Sequence, residues 1–210
     1  MMPQPHILKI SEIFSSIQGE GLRQGEPTLF VRFSGCNLKC SFCDTKYAWN
    51  RGREYSTPQV LEKIKKLSND FPARWVCLTG GEPLLQDVRE LVRSLKKENF
   101  RVQIETNATI FRPLPVDWYS ISPKPDKYYF RPEYKDKAAE VKLIITKDLD
   151  FEVIQRLREQ FPEKTPILLQ PQSNRQWSMN LGIKLLKEAL KADLKNIRLS
   201  IQLHKVYGLK

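Results

Sequence analysis

The sequence predicts an α/β fold: a partial, open β/α barrel of about six mostly parallel strands, in one domain over residues 1–210. Three observations lead there. Short apolar runs alternate with stretches of helical period along most of the chain, the pattern of parallel strands wrapped by helices. At 210 residues the chain is shorter than the ~250 that a complete eight-fold barrel takes. The glycine- and cysteine-bearing motifs follow directly on the apolar runs, and parallel α/β folds collect their reactive groups at the carboxyl ends of strands.

The elements follow in order. "TLFVRF" (Thr28 to Phe33) is rich in β-branched and aromatic residues and reads as a strand. A helix begins in "STPQVLEKIKKLS": Thr57 is placed to cap it, Pro58 suits its first turn, and Val60, Leu61, Ile64 and Leu67 form one apolar stripe. "WVCLT" (Trp75 to Thr79) is almost wholly apolar, as a buried parallel strand should be. "GGEP" follows it, then a helix with Val88, Leu91, Val92 and Leu95 inward, then the strand "RVQIE" (Arg101 to Glu105). "DWYSIS", "EVKLIIT", "PILLQP" and "NIRLSIQL" are further strand candidates, with helices over Leu149 to Gln160 and Met179 to Ala192. Pro123 to Tyr134 holds three prolines and many charges and reads as a loop. No internal repeat or low-complexity tract is present.

Composition narrows the function classes. No apolar run approaches the ~20 residues that span a bilayer, so no membrane partner is expected. The start, "MMPQPHILKI", lacks the charged and apolar regions of a secretory signal. A cytoplasmic location is the expectation, where thiols stay reduced and clustered cysteines point to metal or redox chemistry. Lys and Arg number 35 against 24 Asp and Glu, a net +11, which attracts anions. The lysines are spread along helical stretches such as "EKIKK" and "LKEALKADLK", as a solvated surface would have them. With no arginine-rich tail, aromatic RNA platform or helix-turn-helix pattern, no nucleic acid is expected as partner. A small anionic substrate suits the charge equally well.

Cys36, Cys40 and Cys43 stand at C-x3-C-x2-C, and the chain has one further cysteine, Cys77. Tetrahedral zinc commonly takes four ligands in two separated pairs; here there are three, and the histidines, His6 and His204, lie at the chain's two ends. A disulfide would leave one thiol over. A [4Fe–4S] cluster on three thiolates leaves one iron open for chemistry. A zinc knuckle or a passive electron-transfer cluster is the plainer alternative. Cys77, inside an apolar run, reads as strand packing.

This pattern, with Phe42 in the position before the last cysteine, resembles the signature of the radical S-adenosylmethionine (SAM) superfamily. The resemblance implies a cluster on Cys36, Cys40 and Cys43 whose open iron holds the amino and carboxylate groups of SAM. The reduced cluster cleaves SAM to a 5′-deoxyadenosyl radical that abstracts hydrogen from substrate. "TGGEP" (Thr79 to Pro83) resembles the superfamily's GGEP motif, which assigns Gly81 and Glu82 to SAM, with Glu82 helping to hold the turn. Glu105 and Asn107 in "ETNAT", and Ser122, Pro123 and Lys124, come at the next strand ends and would line the nucleoside site. Gln170, Pro171, Gln172 and Ser173 would do the same. On their own, Asn107 reads as a turn residue and "QPQS" as a proline-marked strand end.

A narrower resemblance covers nearly the whole chain. Phe14, Ile17, Gln18, Gly19, Glu20, Gly21, Arg32, Phe33 and Cys36 to Thr45, with "LTGGEPLLQ", "SPK" and the closing "QLHKVYG", are similar to the 7-carboxy-7-deazaguanine synthase family. It implies a lyase that converts 6-carboxy-5,6,7,8-tetrahydropterin to 7-carboxy-7-deazaguanine with loss of ammonia, on the route to queuosine and other 7-deazapurines. Ile17, Gln18 and Gly19 would meet the pterin, Arg32 a substrate carboxylate through its bidentate fork, and Thr79 the substrate. Thr45 would help hold Mg²⁺, although read alone it is a turn residue after a cluster loop. The carboxylate of Lys210 is a further substrate candidate. The family also implies a homodimer and a reductant such as a flavodoxin-type electron donor. Two rival readings stand beside it: a glycyl-radical-enzyme activase, and a basic iron–sulfur or zinc module that binds RNA.

Overall fold

A computed structural model describes residues 7–209; Lys210 lies outside the described residues. The chain forms two compact units.

The first unit takes in residues 7–17, Glu26–Thr106 and Arg112–Trp118. Its strands are β1 (Ile7–Ile17), β2 (Pro27–Phe33), β3 (Arg53–Ser56), β4 (Trp75–Gly80) and β5 (Arg101–Thr106), ordered β3-β1-β2-β4-β5. Within it β2, β4 and β5 are parallel, as the sequence predicts. β4 lies between β2 and β5, and Trp75 to Thr79 are all buried, the burial of a parallel strand covered on both faces. Helices α1 (Thr57–Asp70) and α2 (Arg89–Lys97) complete the unit. Val88, Leu91, Val92 and Leu95 are fully buried as expected; on α1 the stripe narrows to Val60 and Ile64.

Two strands here have no counterpart in the sequence reading. β1 and β3 run antiparallel, β1 beside β2 and β3 beside β1. β1 spends eleven residues on "ILKISEIFSSI", whose serines and charges dilute the alternation that marks a strand. Its first four residues alternate exposed and buried, and partners on either side satisfy its backbone. The cap of α1 also differs from expectation. Ser56, not Thr57, is the N-cap: its Oγ accepts from the Gln59 amide, and the Gln59 side chain accepts from the Ser56 amide at 2.8 Å. Ser56 has extended backbone (φ −72°, ψ 155°), as a cap requires. Thr57 is instead the first helical residue, its hydroxyl buried with no hydrogen-bond partner among the described residues.

The second unit takes in Gln18–Gly25, Asn107–Phe111 and the chain from Tyr119 onward. Strands β6 (Trp118–Ile121), β7 (Ala138–Ile145), β8 (Ile167–Pro171) and β9 (Ile197–Leu199) form a parallel ladder in that order. β9 is shorter than "NIRLSIQL" suggested. Helices α3 (Phe151–Arg158), α4 (Gln176–Lys191) and a single turn, α5 (Leu203–Val206), follow. The proline-rich stretch is a loop, as expected, anchored by Tyr134. That side chain is fully buried, edge-on to Phe111 and Tyr119, and donates its hydroxyl to the Ile110 carbonyl at 2.8 Å.

The two candidate caps of α1 separate cleanly by mutation. Ser56→Ala should cost about 1 kcal/mol in chemical denaturation. Thr57→Val, which removes an unpartnered buried hydroxyl, should be neutral or stabilising.

Candidate active site

In the first unit the cysteine loop leaves the carboxyl end of β2. Cys36, Cys40 and Cys43 are each partly exposed, whereas Cys77 on β4 is buried. The loop has no regular secondary structure from Gly35 to Thr45, so its shape rests on point contacts. The Cys43 amide donates to the Cys40 carbonyl at 3.1 Å, and the Thr45 amide points at Cys43 Sγ at 3.4 Å. Such an amide suits a sulfur carrying negative charge.

The GGEP turn, at the end of β4, packs on this loop through backbone alone. The Gly81 amide donates to the Phe33 carbonyl and the Glu82 amide to the Gly35 carbonyl at 2.8 Å. A Cβ on Gly81 would lie 1.9 Å from the Gly35 oxygen and 3.0 Å from Cys36 Cβ. Only glycine permits that approach. Glu82 is fully buried; its carboxylate accepts from Thr106 Oγ1 at 2.8 Å and from the Leu84 amide at 3.0 Å. It holds the turn, the role the sequence suggested. Thr79 Oγ1 donates to Glu105 at 3.1 Å, so these two expected site residues do meet.

Arg32, on β2, lies over the Phe14 ring at 5.5 Å and 3.4 Å from the Glu12 carboxylate. Tyr47 donates to the same carboxylate at 2.9 Å. Burial pushes the Tyr47 hydroxyl up, with Arg32 opposing and the bond to Glu12 reinforcing. Thr45 Oγ1 donates to the adjacent Asp44 carboxylate at 3.0 Å, placing two oxygens side by side after the cluster loop. Ile17 ends β1, and Phe42 is partly buried within the loop.

In the second unit the segment after β1, Gln18 to Leu22, is laid along β7. Glu20 and Lys142 form an ion pair at 2.8 Å, the lysine side chain 4% exposed. Gln202 Nε2 donates to the other Glu20 oxygen at 2.7 Å. Burial disfavours the Glu20 anion, but the charge and hydrogen bond of Lys142 outweigh it, helped by Gln202. The carboxyl is held well below the usual carboxylate range. Gln170, fully buried on β8, is near enough to favour that anion, although its amide falls short of a good hydrogen bond. Two residues earlier on β7, Glu140 accepts from Ser120 Oγ and from the Leu22 amide, both at 2.6 Å. Gly21, at φ +74°, passes so close that a Cβ there would sit 2.2 Å from Glu140 Oε1.

The other expected SAM residues of this unit are held in various ways. Asn107 Oδ1 accepts from the Thr109 amide and hydroxyl, at 3.0 and 2.7 Å, a turn of the kind its residue type suggested. Ser122 Oγ donates to the Lys142 carbonyl and accepts from Lys124. Pro123 is buried. Pro171 ends β8, the Gln172 amide donates to Ser178, and Ser173 accepts from Lys205 at 2.9 Å.

The sequence reading missed Glu20 and Gln202 as pairing groups, and Glu140 and Lys142 altogether. A signal existed: "AEVKLII" sets two opposite charges two residues apart in an apolar strand, hence on one face. Buried charges there need partners.

Among the described residues no three His, Cys, Asp or Glu side chains converge on one point as a single metal ion would require. A cubane instead asks for a thiolate at each of three separate irons. Three partly exposed cysteines on an irregular loop, with an amide on Cys43 Sγ and a side-chain-free cradle at Gly81, fit that demand.

Comparison with known proteins agrees. Residues 30–177 match the family model of the radical SAM superfamily, the class of protein that this fold and cysteine loop define. Such enzymes use a [4Fe–4S] cluster and SAM. Over 213 residues the chain is 35% identical to the 7-carboxy-7-deazaguanine synthase of Aquifex aeolicus, covering 97% of this chain and 95% of that one. With the Escherichia coli K12 enzyme of the same name it shares 33% over 224 residues, covering 95% and 98%. The chain belongs to the 7-carboxy-7-deazaguanine synthase family. The crystal structure of QueE from Escherichia coli matches with a TM-score of 0.78 at 28% identity, over 94% of this chain and 95% of that one. This likeness bears out the expected fold class, an open β/α barrel of mostly parallel strands, and the relatives do not favour the activase alternative.

Two substitutions check the site's architecture. Gly81→Ala should lose most of its bound iron after anaerobic reconstitution, read by iron and sulfide content. Glu20→Gln strands Lys142 and should cost about 3–5 kcal/mol in chemical denaturation. Because folding lowers the Glu20 pKa, its contribution is complete above the ordinary value of 4.5 and fades as pH falls below it. The gap between wild type and Glu20→Gln, measured by denaturation at a series of pH values, should therefore narrow in acid.

Proposed function

We propose that this protein converts 6-carboxy-5,6,7,8-tetrahydropterin to 7-carboxy-7-deazaguanine with loss of ammonia, as a single radical SAM domain over residues 1–210. The observation that carries the reading is the three-thiolate loop of the first unit, closely approached by the Gly81 backbone; within the second unit, a Gln18–Gly21 segment pinned by the ion pair of Glu20 with buried Lys142 supports it. The full-length match to synthases of that name supports the substrate.

When bound, the cluster and SAM supply a radical that removes a hydrogen atom from C6 of the pterin and returns it after rearrangement. The chain's own residues bind, orient and exclude water. Cys36, Cys40 and Cys43 hold the cluster. Phe42, Gly81, Glu82, Glu105, Asn107, Ser122 to Lys124 and Gln170 to Ser173 shape the SAM site. Ile17, Gln18 and Gly19 receive the pterin ring, partly by backbone groups. Arg32, held over Phe14, offers its guanidinium to the substrate carboxylate in place of Glu12. Thr79 completes the substrate contacts. Thr45, beside Asp44, would supply oxygen to Mg²⁺, a cation that takes oxygen ligands. A homodimer, a cytoplasmic location and a flavodoxin-type electron donor belong to the same proposal. No described helix is long and apolar enough to cross a membrane.

The test is anaerobic reconstitution, incubation with the carboxylated tetrahydropterin and reductant, and mass spectrometry of the products. The expected result is 7-carboxy-7-deazaguanine, with less than one 5′-deoxyadenosine per turnover. One 5′-deoxyadenosine accumulating with every product would reject the recycling of SAM, and no deazaguanine at all would reject the substrate. Thr45→Ala should leave cluster content unchanged while raising the Mg²⁺ concentration needed for half-maximal rate.

A further inference from the structure

The last residues of the second unit touch two segments to which the proposed function gives different ligands. Gln202, buried after β9, is the common point. Its backbone amide donates to Asn174 Oδ1 and its carbonyl accepts from Asn174 Nδ2, both at 2.9 Å. The Asn174 side chain thus pairs with residue 202 as a neighbouring strand's peptide would. That two-point bond fixes the register of the tail against the loop after β8, because a slip of one residue would break both bonds. Lys205 adds a second tie, to Ser173 at 2.9 Å. Ser173 and Asn174 both have left-handed backbone, φ 51° and 52°, so this loop is bent to meet the tail.

On its other side the tail meets the segment after β1. Gln202 Nε2 donates to Glu20 Oε1, and the Leu203 amide donates to the Gly19 carbonyl at 2.8 Å. Gln24 closes the frame by donating to the Gly19 and Ile201 carbonyls, at 3.1 and 2.8 Å. Lys142 occupies the other Glu20 oxygen. The ion pair therefore holds Glu20 to β7 without Gln202, while Gln202 adds a link to the loop after β8. The first function is anchoring; the second is superfluous for anchoring.

We propose that Gln202 is a positioning residue that couples the SAM segment, Gln172 to Asn174, to the substrate segment, Gln18 to Glu20, so that SAM binding orders the substrate segment. The roles of the two segments rest on the proposed function; the chain of bonds between them does not. By linkage, substrate then tightens SAM binding by the same factor, typically about 5-fold or more.

The experiment uses the full-length, cluster-reconstituted protein and SAM alone as probe, followed by amide hydrogen exchange. The Glu20 and Leu22 amides, bonded to Gln18 and Glu140 side chains, and the Gly25 amide, bonded to the Gln18 carbonyl, are the reporters. In wild type, SAM should slow exchange both at 172–174 and at these three amides. Gln202→Met conserves volume and removes the donor; it should keep protection at the loop and lose it at the three amides. Asn174→Gly tolerates the left-handed backbone and removes the two-point bond at the other end, leaving the Lys205–Ser173 tie; it should weaken protection at the three amides. The proposal is overturned if wild-type SAM protects only the loop, or if both variants transmit protection unchanged. It is likewise overturned if the variants lose thermal stability and all protection together, which marks a purely structural tie. In a second arm, SAM affinity is measured with and without the pterin. Wild type should show the tightening and Gln202→Met should show none. Failure of the pterin to bind at all would sink the proposed substrate, while the exchange result with SAM alone still decides the coupling.

Discussion

An ammonium cannot sit in a strand face without an anion, and in the second unit that requirement fixes the segment that follows β1. Lys142 demands Glu20, and Glu140, two residues earlier on β7, takes the Leu22 amide. Side chains two apart on a strand share a face about 7 Å apart, and the arm meets that face at Glu20 and at the Leu22 amide. The arm is thus pinned at two points, with Gly21 between them where any side chain would strike Glu140. The Gln-Gly-Glu-Gly string is therefore a geometric requirement: acid for the lysine, glycine for the passage, and Gln18 turned inward beside them, its Oε1 accepting from the Glu20 amide.

The first unit solves a different problem, how to give shape to an irregular loop that carries three thiols. A buried parallel ladder of β2, β4 and β5 supplies rigid ends, and the Gly81 and Glu82 amides bond the end of β2 and the loop's first residue. The Glu82 carboxylate ties its own turn to β5, accepting from the Leu84 amide and from Thr106 Oγ1. A buried carboxylate needs such donors, and the turn cannot relax without unsatisfying it. Rigidity comes from the scaffold and reactivity stays on the loop, the usual division in parallel α/β folds.

Much of this was legible in the sequence, for identifiable reasons. β4 and α2 were readable because their apolar patterns are unmixed, and the cysteine spacing and Gly-Gly-Glu-Pro string each answer one chemical demand. β1 was not, because "SEIFSS" carries too many polar residues to look like a strand and depends on partners from distant chain. The cap of α1 was misplaced by one residue, since Ser56 and Thr57 are both good capping types and only the backbone angle chooses. Gln202 stood in the closing "QLHKVYG" but its role was not readable: a lone glutamine has no periodic or spacing signal, and its partners, Asn174 and Glu20, are 28 and 182 residues away.

The four thiols divide sharply by accessibility: Cys36, Cys40 and Cys43 reach solvent, while Cys77 is sealed within β4. Air that strips the cluster will attack one loop only, and an odd number of neighbours cannot all pair off as disulfides. Damaged preparations should therefore be mixtures, with one member of the trio left to pick up small thiols or cross-link to another molecule, while the sealed sulfhydryl serves as an internal standard. Heterogeneity on exposure to oxygen is thus written into the arithmetic of the loop.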